Sequence, residues 1–328
     1  MRMPAAVLLA LLAVLTLAAA AGAASRVRLP KPRRGFQMRM GKFTVPAGHE
    51  REVCEFRTLP NRKPIDVQEM EFKMSPGSHH FALWAYLGQD RAAADFPSTI
   101  VDSPGCIGVG PADTFNRALL GGAPSPHEVT RFPRGIALRL DAHAPVILNS
   151  HYINGSLTDA LTPSVVFNVT RARAGSVRHH AEQMTIGDLD IDIPPLGTAS
   201  RTAEWAVPYP MNVIQLSSHE HKRGTRVTVH LLSGGQDTGQ IFENDDWREP
   251  YEYWPATPIR VQPGDVFRFT CEWKNDDDHP VTFGVTTDDE MCFMTGYYYR
   301  DDESVAPPHA PNCLLQESGL LCFSPSVP

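Results

Sequence analysis

None of the six cysteines forms a CxxC pair, which removes the zinc ribbon and the thioredoxin-type redox motif from consideration. The chain also lacks a basic stripe interleaved with aromatics, and its formal net charge is −7; nucleic acid is therefore not an expected partner. Amphipathic runs longer than two helical turns are hard to find, which argues against a helical bundle. Beyond the first 24 residues no stretch approaches the roughly 20 consecutive apolar residues that span a bilayer.

The N-terminus has what the rest of the chain lacks. Met1-Arg2-Met3-Pro4 precedes an apolar run from Ala5 to Ala21, followed by Gly22-Ala23-Ala24-Ser25. A short positive start, an apolar stretch and small residues predict a secretory signal peptide cut after Ala24. Loss of Arg2 with it takes the charge from −7 to −8. No stable membrane insertion is expected after cleavage, and the protein is expected to be secreted, either periplasmic or extracellular. There the six cysteines meet an oxidising compartment, and their even number suits paired disulfides.

Short alternating or β-branched segments recur between Pro, Gly and Asn breaks: Ile65–Met74, Phe81–Leu87, Val146–Ile153, Ser164–Val169, Arg226–Leu232, Val266–Trp273 and Val281–Val285. Pro263-Gly264-Asp265 marks a turn between two such runs. The pattern predicts an all-β protein of sandwich or jelly-roll type. A polar stretch, residues 171–176, divides the chain into two domains of ordinary size, 37–172 and 173–303. Residues 25–36, basic and Pro-rich, read as a disordered lead-in, and residues 304–328 as a Pro-rich tail. Asn154-Gly155-Ser156 and Asn168-Val169-Thr170 fit the glycosylation sequon.

The histidines number thirteen, and their placement carries more than their number. In His219-Glu220-His221 the two imidazoles share one face of a strand, so they can converge on a metal; two solvated surface histidines are the bland alternative. His79-His80 follows Gly77, where an irregularity would let adjacent side chains turn to one site. His179-His180, a similar pair without that setting, reads as surface. His151 lies in an apolar strand, where a lone histidine is more often a hydrogen-bonded structural residue. Met291, in DDEMC, would ordinarily be core, but a thioether suits soft Cu(I) better than zinc, calcium or magnesium.

Taken together, GSHHFALWAY, FPRGIALRL followed by VILNSHYING, SSHEHKRGTRV, and TTDDEMC followed by YYYR resemble the copper- and ascorbate-dependent monooxygenases in order and spacing, over residues 40–300. The resemblance implies two tandem jelly-roll-like antiparallel β-sandwich domains with one copper each. His79, His80 and His151 would hold an electron-storing copper, and His219, His221 and Met291 the copper that meets dioxygen and substrate. It implies two copper ions per chain, ascorbate or a similar reductant as co-substrate, and hydroxylation of an aliphatic C–H bond in a small molecule. It also implies the disulfides Cys54–Cys106 and Cys271–Cys292, leaving Cys313–Cys322 for the tail. Asn149 and Tyr152, beside His151, are candidate supports for the first copper.

Two rival readings are an exported copper carrier without catalysis and a zinc or iron cupin using His219, His221 and His230. The cupin lacks its usual glutamate after the HxH and leaves Met291 idle. Substrate contacts depart from the resemblance. Family members acting on glycine-terminated peptides grip the carboxylate with an arginine two residues before the HxH, and with an asparagine and a tyrosine after DEMC. This chain has Ser217, Phe293 and Thr295 there. A planar guanidinium binds a carboxylate through two parallel hydrogen bonds, and a hydroxyl cannot replace that fork. A more apolar substrate is expected.

Overall fold

The structure, a computed structural model, describes residues 27–86, 99–102, 117–248, 250–284, 286–304, 312–317 and 319–323. The expected signal peptide and Cys106 lie outside these. Among the described residues there is no helix, and hence none long and apolar enough to cross a membrane.

Among the described residues, ten strands lie in the N-terminal half: β1 (Gly35–Arg39), β2 (Glu50–Thr58), β3 (Ile65–Met74), β4 (Ser78–Tyr86), β5 (Val101–Asp102), β6 (Arg117–Ala123), β7 (His127–Arg131), β8 (Ile136–Leu140), β9 (Pro145–Ile153) and β10 (Val165–Arg171). Twelve follow: β11 (His179–Asp188), β12 (Asp192–Ile193), β13 (Thr198–Ala206), β14 (Met211–His219), β15 (Gly224–Ser233), β16 (Gln236–Asn244), β17 (Ile259–Val261), β18 (Val266–Lys274), β19 (Val281–Thr282), β20 (Phe293–Tyr299), β21 (Asn312–Gln316) and β22 (Gly319–Phe323). The all-β class follows from the composition of these runs. In β3, Val67, Met70, Phe72 and Met74 are buried while Asp66, Glu69, Glu71 and Lys73 are not, the period-2 pattern of a strand with one face on a core.

Each half packs two sheets over its own core. In the first, β1-β10-β3-β8, with β7 beside β3, faces β5-β2-β9-β4-β6, and Val67, Met70, Phe72, Phe81, Leu148 and Phe167 fill the space between. In the second, β11-β20-β14-β17 faces β13-β18-β15-β16 around Trp205, Phe267, Phe269, Trp273, Met294 and Tyr298. The halves are not separate sheets joined by a linker. β11 pairs in parallel with β8, His179 opposite Ile136 through Ala181 opposite Leu138, so one 11-stranded sheet runs through both.

Several expectations change. Residues 27–36 are not a disordered lead-in where they are described. Leu29 is buried, Asn168 donates its Nδ2–H to the Pro30 carbonyl, and Gln37 and Arg39 donate to the carbonyls of Leu29 and Val27. His179-His180 is not a free surface pair either: His180 places Nδ1 2.8 Å from Glu303 and Nε2 3.2 Å from Asp66, tying the halves together. Within the tail, β21 pairs in parallel with β11 and buries Cys313 in the second core. Both sequon asparagines are buried with Nδ2 donating inside the fold, Asn154 to Val45, Pro46 and Asp159, and Asn168 to Pro30 and Glu71. Neither is free to carry a glycan in this structure.

The disulfides Cys271–Cys292 and Cys313–Cys322 are present, the second closing the β21–β22 hairpin at directly opposed positions. Cys54 is also disulfide-bonded.

Candidate metal centres

The first group of histidines is built on a sheet. β9 lies between β2 and β4, and its register puts Glu52, His151 and His80 in one row across three neighbouring strands. β9 is buried on both faces, with Leu148 and Tyr152 towards the core and Asn149 and His151 on the other side. At the start of β4 the register slips between Ser78 and His80, just after Gly77 at φ 89°. Such a bulge places two consecutive side chains on one side, and His79 joins His80 and His151. Nitrogens of the three imidazoles lie within 4.8 Å of one another, the one group of at least three His, Cys, Asp or Glu ligand atoms so close among the described residues. His230 does not join His219 and His221; it pairs with Asp237 on the other sheet.

The orientation of the rings matters as much as their proximity. Nδ1 of His79 and Nδ1 of His80 face each other at 3.1 Å. The outward nitrogens have other partners: His151 Nε2 lies 3.2 Å from Glu50, and His80 Nε2 3.5 Å from Glu52. Asn149 donates to the same Glu52 at 2.8 Å, so it supports this site at one remove. Tyr152 does not; the next residue on a strand points the other way, and its hydroxyl sits in the core against Ser75 and Ser164. A carboxylate hydrogen-bonded to one ring nitrogen, as Glu50 is to His151, orients the ring in the manner of a metal site. Burial lowers the His79 pKa to about 3, with His80 and His151 adding to it, and burial also lowers that of His151. A neutral imidazole keeps the lone pair that a metal requires.

The second group sits at strand ends. His219 closes β14, and His221 lies just beyond it, before the turn into β15. Their rings are 5.2 Å apart and nearly perpendicular. His221 turns Nδ1 to the Asp289 carbonyl at 3.1 Å, leaving Nε2 for another partner. Met291 precedes β20, whose Phe293 is opposite His219, and its neighbour Cys292 is bonded to Cys271 on β18. Burial holds His219 well below its usual pKa and lowers that of His221. Glu220, between them, is pushed up to about 9 by burial and by Glu290 and Glu272, so it is protonated at neutral pH.

The two groups are close enough to interact electrostatically. His221 is among the charges that depress His79, and His79 and His80 are among those that depress His219. Two contacts cross between the halves here: Thr287 donates to Glu50 at 3.2 Å, and Trp247 lies 5.9 Å from the His79 ring. On the sheet beside His219, Ser217 opposes Thr295 and His219 opposes Phe293, which puts all four side chains on one face. The partners of the imidazoles, Glu50, Glu52 and Trp247, carried no motif; only the register that sets β2 beside β9 reveals the carboxylates.

Residues 196–316 match the model of the copper type II ascorbate-dependent monooxygenase C-terminal domain. Dopamine beta-hydroxylase of Canis lupus familiaris is 23% identical over 189 residues, covering 56% of this chain and 30% of that protein, so the chain spans less than a third of its relative's length. Similar solved structures include the STIV MCP, at 10% identity and a TM-score of 0.33 over 80% of this chain and 95% of that one. Another is the major capsid protein P2 from Bacteriophage PM2, at 8% identity and a TM-score of 0.32 over 82% and 100%. Likeness at that level carries no argument. The domain match encloses His219, His221 and Met291, and with the dopamine beta-hydroxylase similarity it supports a relationship to the copper type II, ascorbate-dependent monooxygenases.

Proposed function

We propose that the protein is a secreted two-copper monooxygenase that hydroxylates an aliphatic C–H bond of a small substrate. Two electrons from ascorbate or a similar one-electron donor, with two protons, would leave one atom of dioxygen in the product hydroxyl and the other in water. The observation that carries this reading is the convergence of His79, His80 and His151, whose ring nitrogens lie within 4.8 Å of one another with Glu50 beside His151 and Glu52 near His80. These three residues would hold one copper, and His219, His221 and Met291 the other. Copper, when bound, supplies one-electron storage at the first site and dioxygen activation at the second, where a thioether favours the reduced ion.

The chain's own residues do the rest. Burial lowers the pKa of His79, His151, His219 and His221, which keeps a lone pair available for a metal. Glu50 holds the His151 ring, Glu52 lies near His80, and the sheet sets their spacing. Two jelly-roll-like sandwiches joined through one sheet would keep the two sites facing across a shared space. The polypeptide's further task is to keep bulk water from the activated oxygen species.

Substrate choice follows from the face beside His219. Ser217 is buried and offers a single hydroxyl, Phe293 offers a ring, and Thr295 is opposite Ser217. None of Ser217, Phe293 and Thr295 can fork a carboxylate as an arginine would. The protein is expected to take neutral, partly apolar molecules over peptides ending in glycine. Loss of a charge-assisted partner in a binding site costs about 2–5 kcal/mol.

Both parts are tested by ascorbate-driven oxygen uptake by the copper-loaded protein, with product followed by mass spectrometry. A glycine-extended peptide is compared with neutral phenylalkyl compounds. Hydroxylated phenylalkyl product is expected. Efficient hydroxylation of the peptide that depends on its carboxylate would overturn the substrate reading. Copper binding without oxygen uptake on any substrate would favour a carrier.

A further inference from the structure

We propose that Glu290 is a positioning residue for the His219, His221 and Met291 set, holding the HxH segment and the methionine segment at one fixed separation. The inference rests on the reading of those three side chains as copper ligands.

Glu290 is a carboxylate with 0% exposure. A buried carboxylate is costly unless several donors satisfy it, and here the donors come from both ligand-bearing segments. His221 donates its backbone N–H at 2.9 Å and Arg223 at 2.7 Å, on the HxH side; Met291 donates its own N–H at 3.3 Å. The two oxygens divide the work: Oε2 receives His221 and Met291, and Oε1 receives Arg223.

The backbone around Glu290 is itself pinned. Its N–H donates to Thr282, its carbonyl accepts from Gly284, and two residues on Cys292 is bonded to Cys271. Returning from the HxH side, the His221 ring places Nδ1 3.1 Å from the Asp289 carbonyl, and the Arg223 guanidinium donates to the Asp288 carbonyl at 2.8 Å. His221 is thus held at backbone and ring by the two residues that immediately precede Met291. Since His221 and Met291 both lie outside regular strands, no sheet register fixes their distance. The Glu290 carboxylate joins their backbone N–H groups directly.

The test uses the full secreted chain with Glu290→Ala, Glu290→Gln and, as a control, Val213→Ala, a core truncation elsewhere on β14. Melting temperature is measured for each, with Cu(I) affinity by chelator competition and Cu(I) X-ray absorption. Glu290→Ala is expected to weaken one of the two coppers by about 10- to 100-fold and to lose or lengthen its sulfur scatterer. Glu290→Gln keeps the size but has one acceptor oxygen, so it cannot serve both Arg223 and the His221–Met291 pair; about a tenfold loss is expected. Val213→Ala should lower the melting temperature while leaving the sulfur distance and both affinities as in the wild type. If Glu290→Ala does not fold, Glu290→Gln decides. Wild-type affinity and sulfur distance in whichever Glu290 variant folds would overturn the inference. A wild-type protein with two coppers and no sulfur scatterer would overturn the reading of Met291 beneath it.

Discussion

The two histidine groups are built by opposite means. In the N-terminal half, His80 and His151 stand opposite one another on adjacent strands, with Glu52 opposite His151 on the third. Their spacing is that of the sheet, and β9 is buried on both faces. In the C-terminal half, His219 is the last residue of its strand, and His221 and Met291 lie outside strands altogether. A hydrogen-bonded carboxylate and a disulfide do there what register does in the other half. A sheet-held site suits an ion that must change charge with little change in geometry. A site at strand ends can leave a coordination position open to dioxygen. The difference in architecture thus matches the difference in proposed roles.

Met291→His should give the largest effect on that comparison. It replaces a soft ligand with a harder one at the strand-end site, and turnover should fall by more than about 100-fold, beyond the loss typical of removing an outer partner alone. Copper should stay bound, and the Cu(I) X-ray absorption spectrum should lose its sulfur scatterer. Full turnover in Met291→His would mean that the thioether has no part in the reaction.

A smaller, graded effect separates the halves by pH in the metal-free protein. His79, lowered to about 3, and His151 have depressed pKa values, so the stability they contribute is complete above 6.5 and is lost as pH falls through the window below it. His219 and His221 behave alike, but their half also holds Glu220, raised to about 9, Glu252, raised to about 7, and Glu290, also raised. Groups of that kind contribute fully below their unfolded value of 4.5 and lose it as pH rises. Acidification from pH 7 to 5 therefore weakens the first half while partly compensating the second. Native-state hydrogen exchange, corrected for intrinsic rates, should show protection in β9 falling roughly tenfold relative to β14. Equal changes in both strands would contradict the assignment.

How much of this was legible in the sequence depended on whether a feature was local. The period of Ile65–Met74 read directly as β3, and the Gly77 irregularity before His79-His80 was anticipated because a positive-φ glycine leaves a composition signal. The resemblance grouped His79, His80 and His151, and the structure brings their ring nitrogens together. Features set by pairing between distant segments were not legible. Glu50 and Glu52 meet the imidazoles only because β2 lies beside β9. Residues 27–36 looked disordered from composition, yet their carbonyls accept from Gln37, Arg39 and Asn168. His179-His180 looked like surface because the parallel pairing of β8 with β11, which joins the halves, has no local signature. Glu290 was visible as a letter in a motif, but its three backbone donors could be found only in three dimensions.

The central claim, two unlike copper sites built independently in two halves, is tested most directly by metal content. Copper per chain is measured by elemental analysis for the wild type, for His151→Ala and for His79→Ala, each checked for folding. Two coppers are predicted in the wild type and one in each variant, with the sulfur scatterer of the His219, His221 and Met291 site retained in both. A wild-type content of one copper, or loss of both coppers from either folded variant, would contradict the account.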